Sequence, residues 1–173
     1  MKKLLLFMPL LALCIAFVSC EKNDPKPGTT LKDSSDTSFT LKAVKGENTS
    51  TKDLSMSDFK RLTADKFVPE KAIVDKTSQI VLSGLKNNLE LSNVTIQVKG
   101  NNNLKRTLGT IKKDQTFNSK DDLIFLQKVV EEMMKTKTTK LDLAFTSSEK
   151  LDSEIKVILK LNVQFTKKLE KKK

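Results

Sequence analysis

The segment Glu154–Lys168 constrains the fold more strongly than any other part of the chain. It reads EIKVILKLNVQFTKK, and its apolar residues recur at every second position: Ile155, Val157, Leu159, Leu161, Val163 and Phe165. A helix would scatter this set around its circumference, whereas a strand places the whole set on one face. We therefore predict a long strand with one buried and one solvated face, as is typical of antiparallel sheets.

The same alternation predicts further strands in SFTLKAV, QIVLSGL, RTLGTI and TKLDLAFTSS. The short polar link SEKLDS predicts that TKLDLAFTSS and the last strand form a hairpin. In LELSNVTIQVKG the alternation changes phase at Ser92-Asn93. One extra residue in a strand has this effect, so we predict either a bulge there or a break between two strands. The pattern amounts to about seven strands.

One segment has helical rather than strand periodicity. Ser119 followed by Asp122 resembles a capping box. Apolar residues then recur at helical spacing, at Leu123, Leu126, Val130 and Met133. This pattern predicts an amphipathic helix over about 120–135. A weaker helical pattern covers about 57–65.

Taken together, these elements predict a mainly β fold. We expect a β-sandwich with the one amphipathic helix at about 120–135 covering an end or an open face. An immunoglobulin-like topology is the form we expect for this sandwich. The alternative is a curved sheet that wraps around the helix.

The first nineteen residues have the pattern of a signal peptide. Lys2 and Lys3 precede an apolar run, Leu4–Val18, of about fifteen residues. A membrane span needs roughly 20 apolar residues, so the run is too short for one. It ends in Phe17-Val18-Ser19-Cys20, where charged and polar residues take over.

This ending resembles that of a bacterial lipoprotein precursor. Ser19 matches the small residue of the lipobox and Cys20 matches the lipid acceptor, although Phe17 departs from the usual Leu. The resemblance implies cleavage between Ser19 and Cys20, a diacylglyceryl group on the Cys20 thiol, and a further acyl chain such as palmitate on the new N-terminus. Several acyl chains on one residue would anchor the protein firmly. The alternative is an ordinary secretory signal with an incidental cysteine.

The residues after Cys20 are almost all polar, with Pro and Gly among them. We predict a flexible tether over 20–36, a single β-rich domain over 37–168 and a basic tail over 169–173. Glu21 follows the cysteine, and EKND resembles the short charged signal that directs some lipoproteins to the cell surface. The outer membrane is the expected location, with the periplasmic and external faces both left open.

The net charge does not indicate nucleic-acid binding. It is +11, and +9 once Lys2 and Lys3 are removed, but only Arg61 and Arg106 are arginines and the chain has neither Trp nor Tyr. Nucleic-acid surfaces favour arginine and stacking aromatic side chains. The membrane, reached through the lipid, and a protein are therefore the expected partners.

The chemical inventory is small. The chain contains no His, and Cys20 would be the only cysteine left after cleavage. The commonest general base and metal ligand is thus absent, and so is a free nucleophilic thiol. Asp121-Asp122 is explained by the helix dipole. We predict no catalytic residues, no metal site and no cofactor, and hence a protein that is not an enzyme.

Two functions remain as hypotheses. The first is a lipid-anchored cell-envelope protein that acts as a non-enzymatic binding or structural module. The second is a periplasmic carrier of a small apolar ligand, because Met133 and Met134 lie in the helical stripe and methionine adapts to varied ligands. An apolar cavity between helix and sheet would favour the second.

Overall fold

A computed structural model describes residues 28–86, 89–151 and 153–167. The strands are β1 (Thr29–Lys42), β2 (Gly46–Ser55), β3 (Lys71–Val74), β4 (Gln79–Ser83), β5 (Leu91–Val98), β6 (Lys105–Ile111), β7 (Gln115–Phe117), β8 (Thr138–Ser147) and β9 (Glu154–Lys167). The helices are α1 (Lys60–Ala64), which follows a 3-10 turn at Met56–Asp58, and α2 (Lys120–Thr136).

The strands form two antiparallel sheets, so the predicted β-sandwich is confirmed. The first sheet has the order β1-β9-β4-β7, with β3 also paired to β9, and the second has the order β2-β8-β5-β6. Alternate residues of the long strands are buried between the sheets. The helix α2 contacts β3 and β4 of one sheet and β6 and β8 of the other. It therefore closes one side of the sandwich.

The pairing of the strands is nested. The outermost pair is β1 with β9, followed by β2 with β8, β4 with β7, and β5 with β6. Successive pairs lie in alternate sheets, so the chain is one long hairpin rolled into a double-sheet jelly roll. The immunoglobulin-like prediction is wrong, because in that fold the first strand pairs with the second. Here it pairs with the last.

The predicted hairpin between the last two long strands is also wrong. β8 pairs with β2 and β5, whereas β9 pairs with β1, β3 and β4 in the opposite sheet. The chain between Ser147 and Glu154 thus crosses from one sheet to the other. Both strands do bury one apolar face, but an alternating pattern does not reveal which strand lies beside which.

The domain starts earlier than the sequence predicts. β1 pairs with β9 along its whole length, from Thr29 opposite Lys167 to Lys42 opposite Glu154. The prediction of a flexible tether is therefore wrong for residues 29–36, and so is the predicted domain start at 37. This stretch has little apolar surface of its own, but its backbone bonds to β9, which supplies the apolar face. The predicted signal peptide, Cys20, the first part of the tether and the basic tail lie outside the described residues.

The local predictions for the bulge and the helix are confirmed. The pairing of β5 changes register between Leu91 and Val94, and Asn93 has a left-handed backbone with φ of 55°. Asparagine is one of the residues that tolerate this conformation. α2 spans Lys120–Thr136 and starts with the Ser119–Asp122 capping box. The weaker helical pattern corresponds to the 3-10 turn and α1.

A buried serine joins β3 and β4, which lie end to end along β9. The Ser78 side chain is fully buried, its Oγ accepts from the Asn162 N–H at 2.9 Å, and it donates to the Asn162 carbonyl at 3.1 Å. This hydroxyl takes the place of a backbone group in the gap between the two short strands. One continuous edge of β9 is thereby satisfied.

We expect Ser78→Ala to lower the free energy of unfolding by about 2 kcal/mol, because the Asn162 N–H is then buried without an acceptor. Urea unfolding followed by circular dichroism measures this change. The control is Ser38→Ala, which alters a half-buried strand serine whose hydroxyl lies 3.3 Å from Thr40 Oγ1 on the same strand. Equal losses for both variants would show that the Ser78 hydroxyl does not complete the ladder.

Candidate functional site

A groove lies between β3 and the C-terminal half of α2. Its volume is about 570 Å³, and it is open to solvent. It is lined by Pro69, Glu70, Lys71, Ala72, Ile73, Glu131, Met134 and Lys135. Ala72 is buried, Met134 is half-buried, and Ile73 is 61% exposed. The groove thus combines an apolar lining with two acidic and two basic residues.

The side chain of Gln127 fixes the spacing between the two walls of the groove. Its Oε1 accepts from the Val74 N–H at 2.8 Å, and its Nε2 donates to the Ala72 carbonyl at 2.9 Å. The amide therefore pairs with the edge of β3 as a neighbouring strand would. The same Nε2 donates to Glu131 Oε1 at 2.9 Å. This contact holds one acidic residue of the groove in place.

The N-terminus of α2 is held by a buried carboxylate. Asp122 is 1% exposed, and its Oδ2 accepts from both the N–H and the Oγ of Ser119, at 2.8 and 2.6 Å. Its Oδ1 accepts from Arg106 Nε of β6 at 2.6 Å. Burial alone would raise the pKa of the Asp122 carboxyl. The hydrogen bonds from Ser119 and Arg106, with the positive charge of Arg106, outweigh burial and hold this pKa below its usual value of 3.8.

A smaller depression of about 160 Å³ lies at this end of α2. Its lining includes Arg106, Asp121, Ile124 and Lys128. Binding pockets for small molecules usually enclose about 300–1,000 Å³. The depression is smaller than that, and the Arg106 guanidinium already serves Asp122. The groove beside β3 is therefore the better candidate for a binding site.

The groove carries charged groups of both signs beside its apolar lining. Its titratable residues are Glu70, Lys71, Glu131 and Lys135, and Lys135 Nζ lies 3.6 Å from Glu132 Oε2. Among the described residues, no three His, Cys, Asp or Glu side chains converge as metal ligands would. An apolar lining with charges of both signs can hold an apolar group that has polar neighbours.

The sequence-based candidates have different positions in the structure. Ser19 and Cys20 lie outside the described residues. Met133 is 1% exposed and packs in the core, whereas the next residue, Met134, lines the groove. Ala72 and Ile73 were not found from the sequence, because β3 is only four residues long. The pair Ile73-Val74, shortly after Pro69, is the one feature of the sequence that could have indicated a strand here.

Comparisons with known proteins identify no family. No family model matches the chain, and no curated protein matches it. A solved structure described as Desmodium yellow mottle tymovirus is similar, with 12% sequence identity and a TM-score of 0.30. The similarity covers 86% of this chain and 94% of that one. In the described part of the chain, no helix has the length and hydrophobicity needed to cross a bilayer.

Proposed function

We propose that this protein is a lipid-anchored protein of the cell envelope that acts as a non-enzymatic binding or structural module. The chain would be cleaved between Ser19 and Cys20, lipidated at Cys20 and carried to the outer membrane. The groove between β3 and α2 is the observation that carries the binding role. It is apolar, accessible and held in shape by Gln127, which bonds to both Ala72 and Val74.

The proposed partner is another protein. A pocket for a small ligand buries about 70–90% of the ligand surface, and an open groove cannot do this. An open groove can instead receive one or two apolar side chains that project from a partner. Glu70, Lys71, Glu131 and Lys135 would then meet polar groups around that contact, as in the rim of a protein interface.

A periplasmic carrier of a small apolar ligand is the second candidate. Two observations favour it: the groove volume of about 570 Å³ suits such a ligand, and Met134 lines the groove. The burial of Met133 in the packed core counts against an internal cavity at this place. A fluorescent apolar probe that saturates with one site per chain, and is displaced when Met134 is changed to Lys, would favour the carrier.

The anchor is tested by comparing intact cells that produce the natural chain or its Cys20→Ala variant. We expect the natural protein in the outer-membrane fraction and the variant released from it, because the variant lacks the acceptor thiol. External protease then assigns the face: digestion indicates the cell surface and protection indicates the periplasm. A Cys20→Ala variant that stays in the membrane would contradict the proposed anchor.

The binding surface is tested with a photo-crosslinking residue at Ile73. The matched control is Val44, which is 54% exposed and lies between β1 and β2, at the other end of β1. We expect one discrete crosslinked product in intact cells from position 73 and none from position 44. Adding Met134→Lys should reduce the product at least tenfold. The same product from both positions would argue against the groove.

A further inference from the structure

We propose that the end of the sandwich nearest the anchor is a membrane-docking surface for anionic phospholipid headgroups. This surface, the basic end, consists of Lys60, Arg61, Lys66, Val68, Lys71 and Lys167. The inference rests on the proposed lipidation of Cys20. It extends that proposal from an attachment point to an orientation of the folded domain.

The strand register places these residues at one end of the molecule. Thr29, where β1 begins, lies opposite Lys167, and Lys71 lies opposite Thr166. The Glu70 N–H bonds to the Thr166 carbonyl at 2.9 Å. The loop 65–70 between α1 and β3 thus lies where β9 ends. α1 is held there as well, because Asp33 Oδ2 accepts from the Leu62 N–H at 2.8 Å.

The short tether decides which end can face the bilayer. Nine residue steps separate Cys20 from Thr29, and an extended chain spans at most about 3.3–3.6 Å per residue, or about 30 Å in all. β1 has 14 residues and runs about 44 Å away from Thr29 at about 3.4 Å per residue. The tether is therefore too short to reach past the far end of β1. When the strands stand upright on the bilayer, the basic end is therefore the end that faces the lipid.

The charge of the basic end suits an anionic surface. Over Lys60–Lys71 four basic residues are exposed against two acidic ones, Asp65 and Glu70. None of these four basic residues forms an ion pair with another described residue, whereas Lys112 at the opposite end pairs with Glu90 at 3.0 Å. In sequence, Lys168–Lys173 adds four lysines and one glutamate directly after β9. Basic residues close to a lipid anchor are attracted to anionic headgroups.

Val68 gives the surface an apolar tip. It is 63% exposed, the most of the four large apolar residues that are exposed in the described chain. The loop around it is held by two backbone bonds, from the Phe67 N–H to the Leu62 carbonyl and from the Glu70 N–H to the Thr166 carbonyl. An exposed apolar side chain with basic neighbours can enter the headgroup boundary while the charges remain at the phosphates.

The orientation is tested on the mature lipidated protein in phosphatidylcholine vesicles that contain about a third phosphatidylglycerol. The cysteines of the chain are Cys14 and Cys20, so an introduced cysteine is the only free thiol of the mature lipidated protein. Val68→Cys and the control Val44→Cys are each labelled with a fluorophore, and a headgroup quencher is added. We expect several-fold stronger quenching at position 68, reduced by high salt. Equal quenching at both positions, or stronger quenching at 44, would overturn the proposal.

The charge contribution is measured on the unlipidated chain from residue 20 with Cys20→Ser. Each basic residue near an anionic surface strengthens binding roughly fivefold, so combining K60Q, K66Q and K71Q should weaken vesicle binding by about a hundredfold. The control combines K42Q, K45Q and K150Q, which alters three exposed lysines at the opposite end. Thermal unfolding verifies that both variants fold. Equal weakening by both sets, or binding that does not depend on phosphatidylglycerol, would overturn the proposal.

The two proposals can fail separately. Vesicle binding by the Cys20→Ser chain does not require a lipid, so it supports the docking surface even if cell fractionation disproves lipidation. A protein that is anchored in cells but binds anionic and neutral vesicles alike would keep its anchor and lose the docking surface.

Discussion

Replacing Phe165 by alanine is expected to lower the free energy of unfolding by about 4 kcal/mol, among the largest losses from a single substitution in this domain. Phe165 is fully buried on β9, and its ring meets that of Phe59 edge to face, with the centroids 5.0 Å apart. Its backbone lies between Leu31 of β1 and Ala72 of β3. The substitution therefore leaves a cavity among three elements that have little freedom to close it.

Urea unfolding of the Phe165→Ala variant measures this loss. Gln164→Ala is the matched control, because the neighbouring side chain on the same strand is half-buried on the other face. A double-mutant cycle with Phe59→Ala should give a coupling of about 1 kcal/mol for the ring pair. A loss below about 1.5 kcal/mol for Phe165→Ala would mean that this end of the sandwich is loosely packed.

Asp122→Ala is the second substitution with a large expected effect, a loss of about 3 kcal/mol. The variant lacks the side chain that completes the capping box with Ser119, and capping interactions are typically worth about 1 kcal/mol. It also leaves the partly buried Arg106 without its carboxylate, and breaking a buried ion pair usually costs more than a cap. Asp121→Ala is the control, because this exposed neighbour is also in the first turn of α2. We expect its effect to stay below about 0.5 kcal/mol.

Asp122 should also make the free energy of unfolding depend on pH in the acidic range. Its pKa in the folded protein lies below 3.8, so the folded state holds this proton less tightly than the unfolded state does. Its contribution is present above pH 3.8 and is lost as the pH falls through the lower, folded-state pKa. Urea unfolding at a series of pH values between 5 and 2 measures this dependence. The free energy of unfolding should fall less steeply with falling pH for Asp122→Asn than for the natural chain. Identical slopes would contradict the assigned hydrogen bonds.

The sequence predicts those elements whose own side chains show a regular apolar pattern or a recognisable cap. Ile155 to Phe165 alternate so regularly that only a half-buried strand fits, and Ser119 with Asp122 marks the start of α2. The phase change at Asn93 likewise predicts the bulge in β5. In each case the decisive interactions are local, either along one strand or within one helical turn.

The elements that the sequence does not predict are held by the backbone of other strands. In β2 only Leu54 is a large apolar residue, and residues 29–36 are largely polar, yet both segments pair fully with β8 and β9. The jelly-roll order depends on which strands meet, which alternation alone does not encode. The groove was missed for the same reason, since one wall is the short strand β3 and the spacing depends on Gln127.

The position of β9 in the sheet has a consequence for biosynthesis. It is the last strand in sequence, yet it is the neighbour of β1, β3 and β4 at the same time. While a growing chain lacks residues 154–167, these three strands have no partner in their sheet except the short β7 beside β4. Folding is then postponed until nearly the whole domain has been synthesised. Because the paired strands are far apart in sequence, we also expect folding itself to be slow. A chain that remains unfolded this long is available for transport through a narrow channel before its sheets close.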